Sequence, residues 1–340
     1  MSLQGRNFKT YKKDIVISYL EKYPNASTQA LARIIFKENP LDFKTVEGVR
    51  GNIRRYRGEL GNYSSPHTKE FYRDEQTKKQ FMKKSFDLPQ SDYEKTEPFY
   101  IPKGQNNILV LSDIHIPYQD NKALELAINY GIENKVNAIY LNGDTIDMYQ
   151  GSRFIKDRRL RDLAGELELT RQFLKLLKDT FNCPIYFKIG NHEKRWEDYL
   201  RLKAPELLGI DDFKLEQILR FREFGVNLIK DRQIGYAGKL PILHGHEWFA
   251  GFAPPVNPAR GLFLKAKESC LIGHHHTTSE HTEKSLGGKI TTCWSTGCLS
   301  GLEPEYNPFN KYNHGFAHVK VDKDGSYEVK NIRIIDYKIV

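Results

Sequence analysis

Ile185-Tyr-Phe-Lys-Ile-Gly-Asn-His-Glu193 is a mostly apolar run that ends on a glycine, an amide, an imidazole and a carboxylate. Two earlier stretches share this build: Ile108-Leu-Val-Leu-Ser-Asp-Ile-His115 and Ala138-Ile-Tyr-Leu-Asn-Gly-Asp144. Short apolar runs of this kind read as buried strands, and each delivers a ligand-type side chain at its C-terminal end. Helix-like stretches at residues 123–134 and 160–177 lie between them, giving the strand, helix, strand alternation of an α/β layer. The polar ends then converge on one sheet edge, where such folds bind their substrates. A glycine before Asp144, Asn191 and His274 predicts tight turns that bring backbone close to whatever is bound there.

Working outward, five clusters stand in order: Asp113-Ile-His115, Gly143-Asp144, Gly190-Asn191-His192-Glu193, His244-Gly-His246 and Gly273-His274-His275-His276. One such residue alone reads as a hydrogen-bonded core side chain. Five clusters together supply enough oxygen and nitrogen donors for two metal ions. None contains cysteine, which disfavours structural zinc or an iron-sulfur cluster and favours a mixed oxygen and nitrogen site for manganese, iron, zinc or magnesium. Two ions about 3.5 to 4 Å apart need roughly eight ligand positions with one bridging carboxylate, and can clamp the attacking and leaving oxygens of a phosphoryl group.

With these residues in order, the chain resembles the calcineurin-like metallophosphoesterases, whose pattern runs D-x-H, G-D, G-N-H-D/E, H and G-H-x-H. The likeness spans roughly residues 105–335. It implies a four-layer αββα sandwich and a metal-dependent phosphoesterase. It also implies that Asp113, His115, Asp144 and His276 hold one ion, and that Asp144, Asn191, His244 and His274 hold the other, with Asp144 bridging. The cofactor is then a pair of divalent ions, Mn²⁺ first, with Fe, Zn or Mg as alternatives. A hydroxide bridging the ions would attack phosphorus, and His192 would give a proton to the leaving oxygen, a task that suits imidazole.

Other residues near the clusters receive plainer readings. Glu193 is expected to orient a ligand rather than bind metal. The family pattern favours His244 over His246, and His275 reads as an exposed imidazole; His281 and His318 read as ordinary strand residues. Arg153 and Arg195 are candidate contacts for a substrate phosphate, because guanidinium matches phosphate geometry, against a reading as solvated surface arginines.

The 340 residues suffice for two domains. With no run of about 18 apolar residues and no apolar leader, a soluble cytoplasmic protein without membrane attachment is expected. The four cysteines, Cys183, Cys270, Cys293 and Cys298, form no C-x-x-C pair and read as reduced thiols. Of the net charge of +9, residues 1–100 carry +6 and residues 101–340 only +3. A basic appendage suggests an anionic partner, although solubility alone also explains it.

Residues 1–60 read as a helix-turn-helix-like module: a helix over 11–23, a second over 29–37 capped by Ser27 or Thr28, and a third over 45–57. In the third, Val46, Val49, Ile53 and Tyr56 make an apolar stripe with Arg50, Arg54 and Arg57 along one flank, suited to a nucleic-acid backbone or groove. DNA is preferred to RNA as the partner. The competing reading is a solvated basic helix. Gly48 and Gly51 cost this helix about 1 kcal/mol each relative to Ala.

Residues 61–103 read as a linker with one polar helix at 71–86, and 104–340 as the catalytic domain, carrying a helical insertion near 194–224 that is positioned to shape the cleft. The alternating stretch from Lys289 onward is expected to complete the second sheet. The function expected is a phosphodiesterase or nuclease acting on nucleic acid. The alternative is a phosphatase or phosphodiesterase for a small metabolite or phosphoprotein. Against a protein phosphatase, Ile189 rather than Arg precedes Gly190, and Met148 follows Asp147 where that branch has Arg.

Overall fold

The computed structural model describes residues 8–57, 89–91, 93, 95–152, 162–248, 256–304 and 307–340. The chain divides into two compact units, Met1–Tyr93 and Glu94–Val340. The polar helix expected at 71–86 lies outside the described residues, as does Arg153.

In the first unit, helices α1 (Phe8–Lys22), α2 (Thr28–Glu38) and α3 (Val46–Tyr56) enclose a core of Val16, Leu20, Leu31, Ala32, Ile35, Phe43, Val49 and Ile53. Local chemistry sets the starts. Ser27 accepts a hydrogen bond from the Ala30 amide at 3.1 Å, and Thr45 accepts one from the Gly48 amide at 3.0 Å, so each fills an orphan donor of a first turn. The apolar stripe of α3 faces inward through Val49 and Ile53. Arg57 departs from expectation: it is 5% exposed, and its guanidinium donates to Thr28 Oγ1 at 3.0 Å and to the Pro24 carbonyl at 3.2 Å. It ties the end of α3 to the start of α2, which reduces the basic flank to Arg50 and Arg54.

The second unit holds two sheets. One runs, in spatial order, β13 (Lys338–Ile339), β12 (Tyr327–Ile335), β11 (His314–Val321), β2 (Asn107–Leu111), β3 (Ala138–Asn142), β4 (Ile185–Lys188) and β5 (Val226–Ile229), the last four parallel. The other runs β1-β6-β7-β8-β10-β9 and includes β1 (Phe99–Tyr100), β6 (Gly235–Ala237), β7 (Leu240–Ile242), β8 (Cys270–Ile272), β9 (Ser279–Lys284) and β10 (Ile290–Ser295). Because β1 pairs with β6, the catalytic unit begins earlier than residue 104.

Strand alternation explains why the ligand strands read as unbroken apolar runs. Leu109, Leu111, Ile139, Leu141, Ile185 and Phe187 face a core shared with α4 (Asn121–Glu133) and α5 (Leu163–Phe181). Their neighbours Ile108, Val110, Ala138, Tyr140 and Tyr186 face Ala237, Leu240, Ile242, Leu271 and Trp294 of the other sheet. Both faces of the strands are covered, as expected for buried parallel strands. Beyond the second sheet, Leu243, Cys270, Ile272 and Cys293 pack on Ala259 and Leu262 of a helix, Pro258–Ala266, which completes the αββα layering.

The C-terminal strands correct one expectation. Only β10 joins the second sheet; β11 (His314–Val321) pairs antiparallel with β2, and β12 (Tyr327–Ile335) with β11. Thus the chain end extends the sheet that carries the ligands. His318, on β11, is buried between Tyr130 Oη at 3.1 Å and Asn107 Oδ1 at 2.6 Å, and His281 on β9 pairs with Glu283, so both are strand residues as read.

Candidate metal centre

Strand register brings the clusters level. Leu111 pairs with Leu141 and Leu141 with Phe187, so the residues that follow leave the sheet side by side. Backbone bonds then lash the exits together: His115 N–H donates to the Asp144 carbonyl at 2.9 Å, and Gly273 N–H to the His244 carbonyl at 2.8 Å. Of the seven expected ligands, Asp113, His115, Asp144, His274 and His276 all have positive φ, between 51° and 66°. Left-handed backbone costs an L-residue roughly 1–2 kcal/mol, so the surroundings must hold these residues in place. The turns need their glycines for space. A Cβ on Gly143 would run into the His244 ring, and one on Gly190 into the Asp144 carboxylate.

Glu193 provides much of that hold. Its Oε1 accepts from the amides of Thr145 at 2.7 Å and Ile146 at 3.2 Å, and its Oε2 from those of Asp144 at 2.9 Å and Gly190 at 2.8 Å. This carboxylate therefore grips both the Asp144 loop and the Asn191 loop. The sequence predicts helical structure from about residue 194. In fact α6 runs Asn191–Lys203, and the His192 amide of its first turn donates to Asp144 Oδ1 at 2.9 Å. A helix start thus supports the carboxylate expected to bridge.

The donor atoms form two groups joined through Asp144, and His192 stands with His115 and Asp144 in a third that overlaps them. In the first, His115 Nε2 lies 3.2 Å from His276 Nε2 and 3.9 Å from Asp144 Oδ2, and His276 Nε2 lies 3.4 Å from Asp113 Oδ1. In the second, His244 Nε2 lies 3.2 Å from both Asp144 Oδ2 and Asn191 Oδ1, and the half-buried His274 belongs to the same cluster. Atoms about 2.1 Å from one ion stand about 3.0 Å apart at right angles and about 3.4 Å apart at tetrahedral angles. Most of these spacings match that range, and His274 Nδ1 is buried without a hydrogen-bond partner, so the donor set fits divalent metal ions. The far ring nitrogens are held as metal-binding imidazoles need: His115 Nδ1 by Asp147 Oδ1 at 3.1 Å and His244 Nδ1 by the Asn142 carbonyl at 2.6 Å.

Residues 107–311 match the calcineurin-like phosphoesterase family. The chain belongs to that family. It is a hydrolase acting on phosphate esters, and its buried His/Asp cluster accords with a dinuclear metal site. This phosphoesterase is similar to the Gene 54 protein of Mycobacterium phage L5, 28% identical over 229 residues that cover 63% of this chain and 89% of the phage protein. Among solved structures it is similar to Vacuolar Protein Sorting 29 from Cryptosporidium parvum, with 13% identity, 69% of this chain and 94% of that chain covered, and a TM-score of 0.39. It is also similar to Yfce, a phosphoesterase from E. coli, with 15% identity, 69% and 96% covered, and a TM-score of 0.37.

The phosphoesterase centre is electrostatically coupled. Burial would raise the Asp113 pKa, but His276 and then His244 overrule it and hold the carboxyl well below its usual range. Burial opposes a proton on His244, yet Asp144 and then Asp113 push its pKa up to about 10. His274 goes the other way, down to about 3, through burial and the charge of His244.

Asp147 was missed as a site residue by the sequence reading, although G-D-x-x-D was visible. Its Oδ1 lies 3.1 Å from His115 Nδ1 and 3.0 Å from His192 Nδ1, so it joins an expected ligand to the expected acid. Those two hydrogen bonds overcome the effect of burial and hold its carboxyl low. Arg195 donates to His192 Nε2 at 2.8 Å and to the Asp147 carbonyl at 2.9 Å, with its side chain 21% exposed. It is anchored at the site, in contrast to a solvated arginine. His246 is turned toward Asp231, at 3.0 Å, and His275 is half-buried rather than exposed. Beside this edge, α6 and the insertion border an open cavity of about 420 Å³ lined by Ile189, Trp196, Leu200, Phe213 and Leu215. The insertion itself is broken into α7 (Leu215–Ile218) and α8 (Phe221–Phe224), because Arg220 between them is left-handed.

Proposed function

We propose that this phosphoesterase is a manganese-dependent phosphodiesterase that cleaves nucleic acid. In this reading Asp113, His115, Asp144 and His276 hold one ion, and Asp144, Asn191, His244 and His274 hold the other. Divalent ions bound there would stabilise charge on the phosphoryl oxygens and lower the pKa of an attacking water. Asp113 and Asp144 contribute buried carboxylates, Glu193 keeps Asp144 in place, and Asp147 fixes His115 and His192 by their Nδ1 atoms. With Arg195 donating to it, His192 Nε2 presents a lone pair. Proton donation to a leaving oxygen therefore requires Arg195 to turn away and Nε2 first to take up a proton from solvent, and a substrate phosphate oxygen is the natural alternative partner for a guanidinium.

The observation that carries the choice of nucleic acid is the basic flank of α3. Arg54 is partly exposed, and Arg50, 38% exposed, pairs with the exposed Glu47 at 3.1 Å. Such an ion pair is weak in water and is readily exchanged for phosphate. Helices α2 and α3, joined by a short turn, have the order of a helix-turn-helix, with α3 as the reading helix and DNA as the preferred partner.

The test is incubation with single- and double-stranded DNA and RNA in Mn²⁺, beside a small aryl phosphodiester and phosphomonoester. Cleavage of DNA, lowered by Arg50→Glu with Arg54→Glu while small-diester turnover is kept, is the expected result. Robust monoester turnover with every nucleic acid left intact would refute the proposal.

A further inference from the structure

Lys188 ends β4, and its side chain is wholly buried on the face that, with Tyr186, looks toward the second sheet. Its Nζ lies 2.9 Å from Glu247 Oε1 and donates to the Lys230 carbonyl at 3.1 Å. The other carboxylate oxygen of Glu247 accepts from the Gly245 amide at 2.8 Å. Neither charged group is a donor in either metal cluster. Their positions in the chain are informative: Lys188 stands three residues before Asn191, and Glu247 three residues after His244. The ion pair therefore spans the two loops whose donors, Asn191 Oδ1 and His244 Nε2, meet at 3.2 Å. His246 bonded to Asp231 at 3.0 Å, next to Lys230, extends the tie to the end of β5.

Stability is a poor reason for burying this pair. An ion pair removed from water is seldom more stabilising than apolar side chains of the same volume, and the surrounding inter-sheet core would accept those. What it supplies is a fixed separation between two loop exits, and metal donors need that to fractions of an ångström.

We propose that the Lys188–Glu247 pair is a positioning device for the second metal, holding the Asn191 and His244 donors at coordination spacing. This rests on the reading of Asn191 and His244 as ligands of one ion. The geometry predicts that loosening the pair weakens one of the two metal sites and spares the other.

The experiment is calorimetric titration of Mn²⁺ into the metal-free full-length protein, comparing wild type with Lys188→Met, Glu247→Gln and His244→Ala. The wild type takes up two ions. Lys188→Met and Glu247→Gln bind the first with unchanged affinity and the second about 10- to 100-fold more weakly, and excess Mn²⁺ restores their turnover. His244→Ala loses the second ion outright. Wild-type affinity at both sites in the two pair variants, or equal weakening of both sites, would overturn the proposal. Two tight ions in His244→Ala would instead refute the ligand reading beneath it. If either single variant does not fold, Lys188→Met with Glu247→Leu leaves no unpaired buried charge, and the same selective loss is expected of it. Two tight ions in that double variant would equally overturn the proposal.

Discussion

The metal edge and the N-terminal three-helix unit are built by opposite means. At the metal edge, five of seven expected ligands are left-handed, and side chains such as His115 on Asp147 and His244 on Asp144 lean on one another. Among the described residues of the three-helix unit, 8–57, no non-glycine residue has positive φ; caps, propensity and one small apolar core suffice. The difference teaches where to look for chemistry. A backbone held against its local preference by cross-links is arranged for a purpose other than its own stability, whereas the relaxed helices can change their surface at little cost.

The contrast is broken most severely by removing the shared carboxylate. Asp144→Asn is expected to lower kcat on a small phosphodiester by at least about a hundredfold, the scale of losing one preorganised electrostatic contact, while far-ultraviolet circular dichroism is unchanged. An active variant would show that Asp144 is not central. Next comes Glu193→Gln, which sets an amide N–H₂ against backbone donors that a carboxylate oxygen now accepts. A loss of about 3 kcal/mol in urea unfolding is expected from these charge-assisted bonds, together with weaker metal uptake.

The third effect is one of pH. The folded-state pKa of His244, about 10 against an ordinary 6.5, makes its proton part of the stability of the metal-free protein. That contribution is fully present below pH 6.5 and is lost as pH rises through about 10. The Tm of metal-free protein should therefore fall over this window, a His244→Gln variant should lack that component of the fall, and Mn²⁺ binding should release protons at pH 7. Calorimetry in buffers of different ionisation enthalpy counts them.

The smallest effects lie in the helical unit, where two arginines on one helix should behave differently. Arg57→Ala is expected to destabilise that unit by about 1–3 kcal/mol, because it removes charge-assisted bonds to Thr28 and Pro24. Arg50→Ala, which gives up a surface ion pair with the exposed Glu47, should change stability by less than about 1 kcal/mol and reduce the salt dependence of DNA binding by about one phosphate contact. Equal effects of the two would erase the distinction.

How legible each region was in the sequence follows from the same physics. Strands β2, β3 and β4 were readable because both faces are buried, and helices α2 and α3 because their stripes and caps are local signals. The metal donors were legible as residue types at fixed offsets from strand ends. Three things were not. The start of α6 at Asn191 is hidden because its first turn is made of site residues rather than helix formers, and Glu193 caps it from within. Arg57 reads as surface from its place on the helical wheel, since its partners Thr28 and Pro24 are about thirty residues away. The placement of β11 beside β2 depends on long-range pairing that alternation alone leaves undetermined. Lys188 and Glu247 belong with these: each looks like an ordinary surface residue until the two loops are folded together.

The central claim is that seven side chains from five loops hold two ions bridged by Asp144. Anomalous diffraction from crystals grown with Mn²⁺ tests it most directly. The account predicts two peaks about 3.5 to 4 Å apart, one beside Asp113, His115 and His276, the other beside Asn191, His244 and His274, with Asp144 between them. A single peak, or two that do not share Asp144, would contradict it.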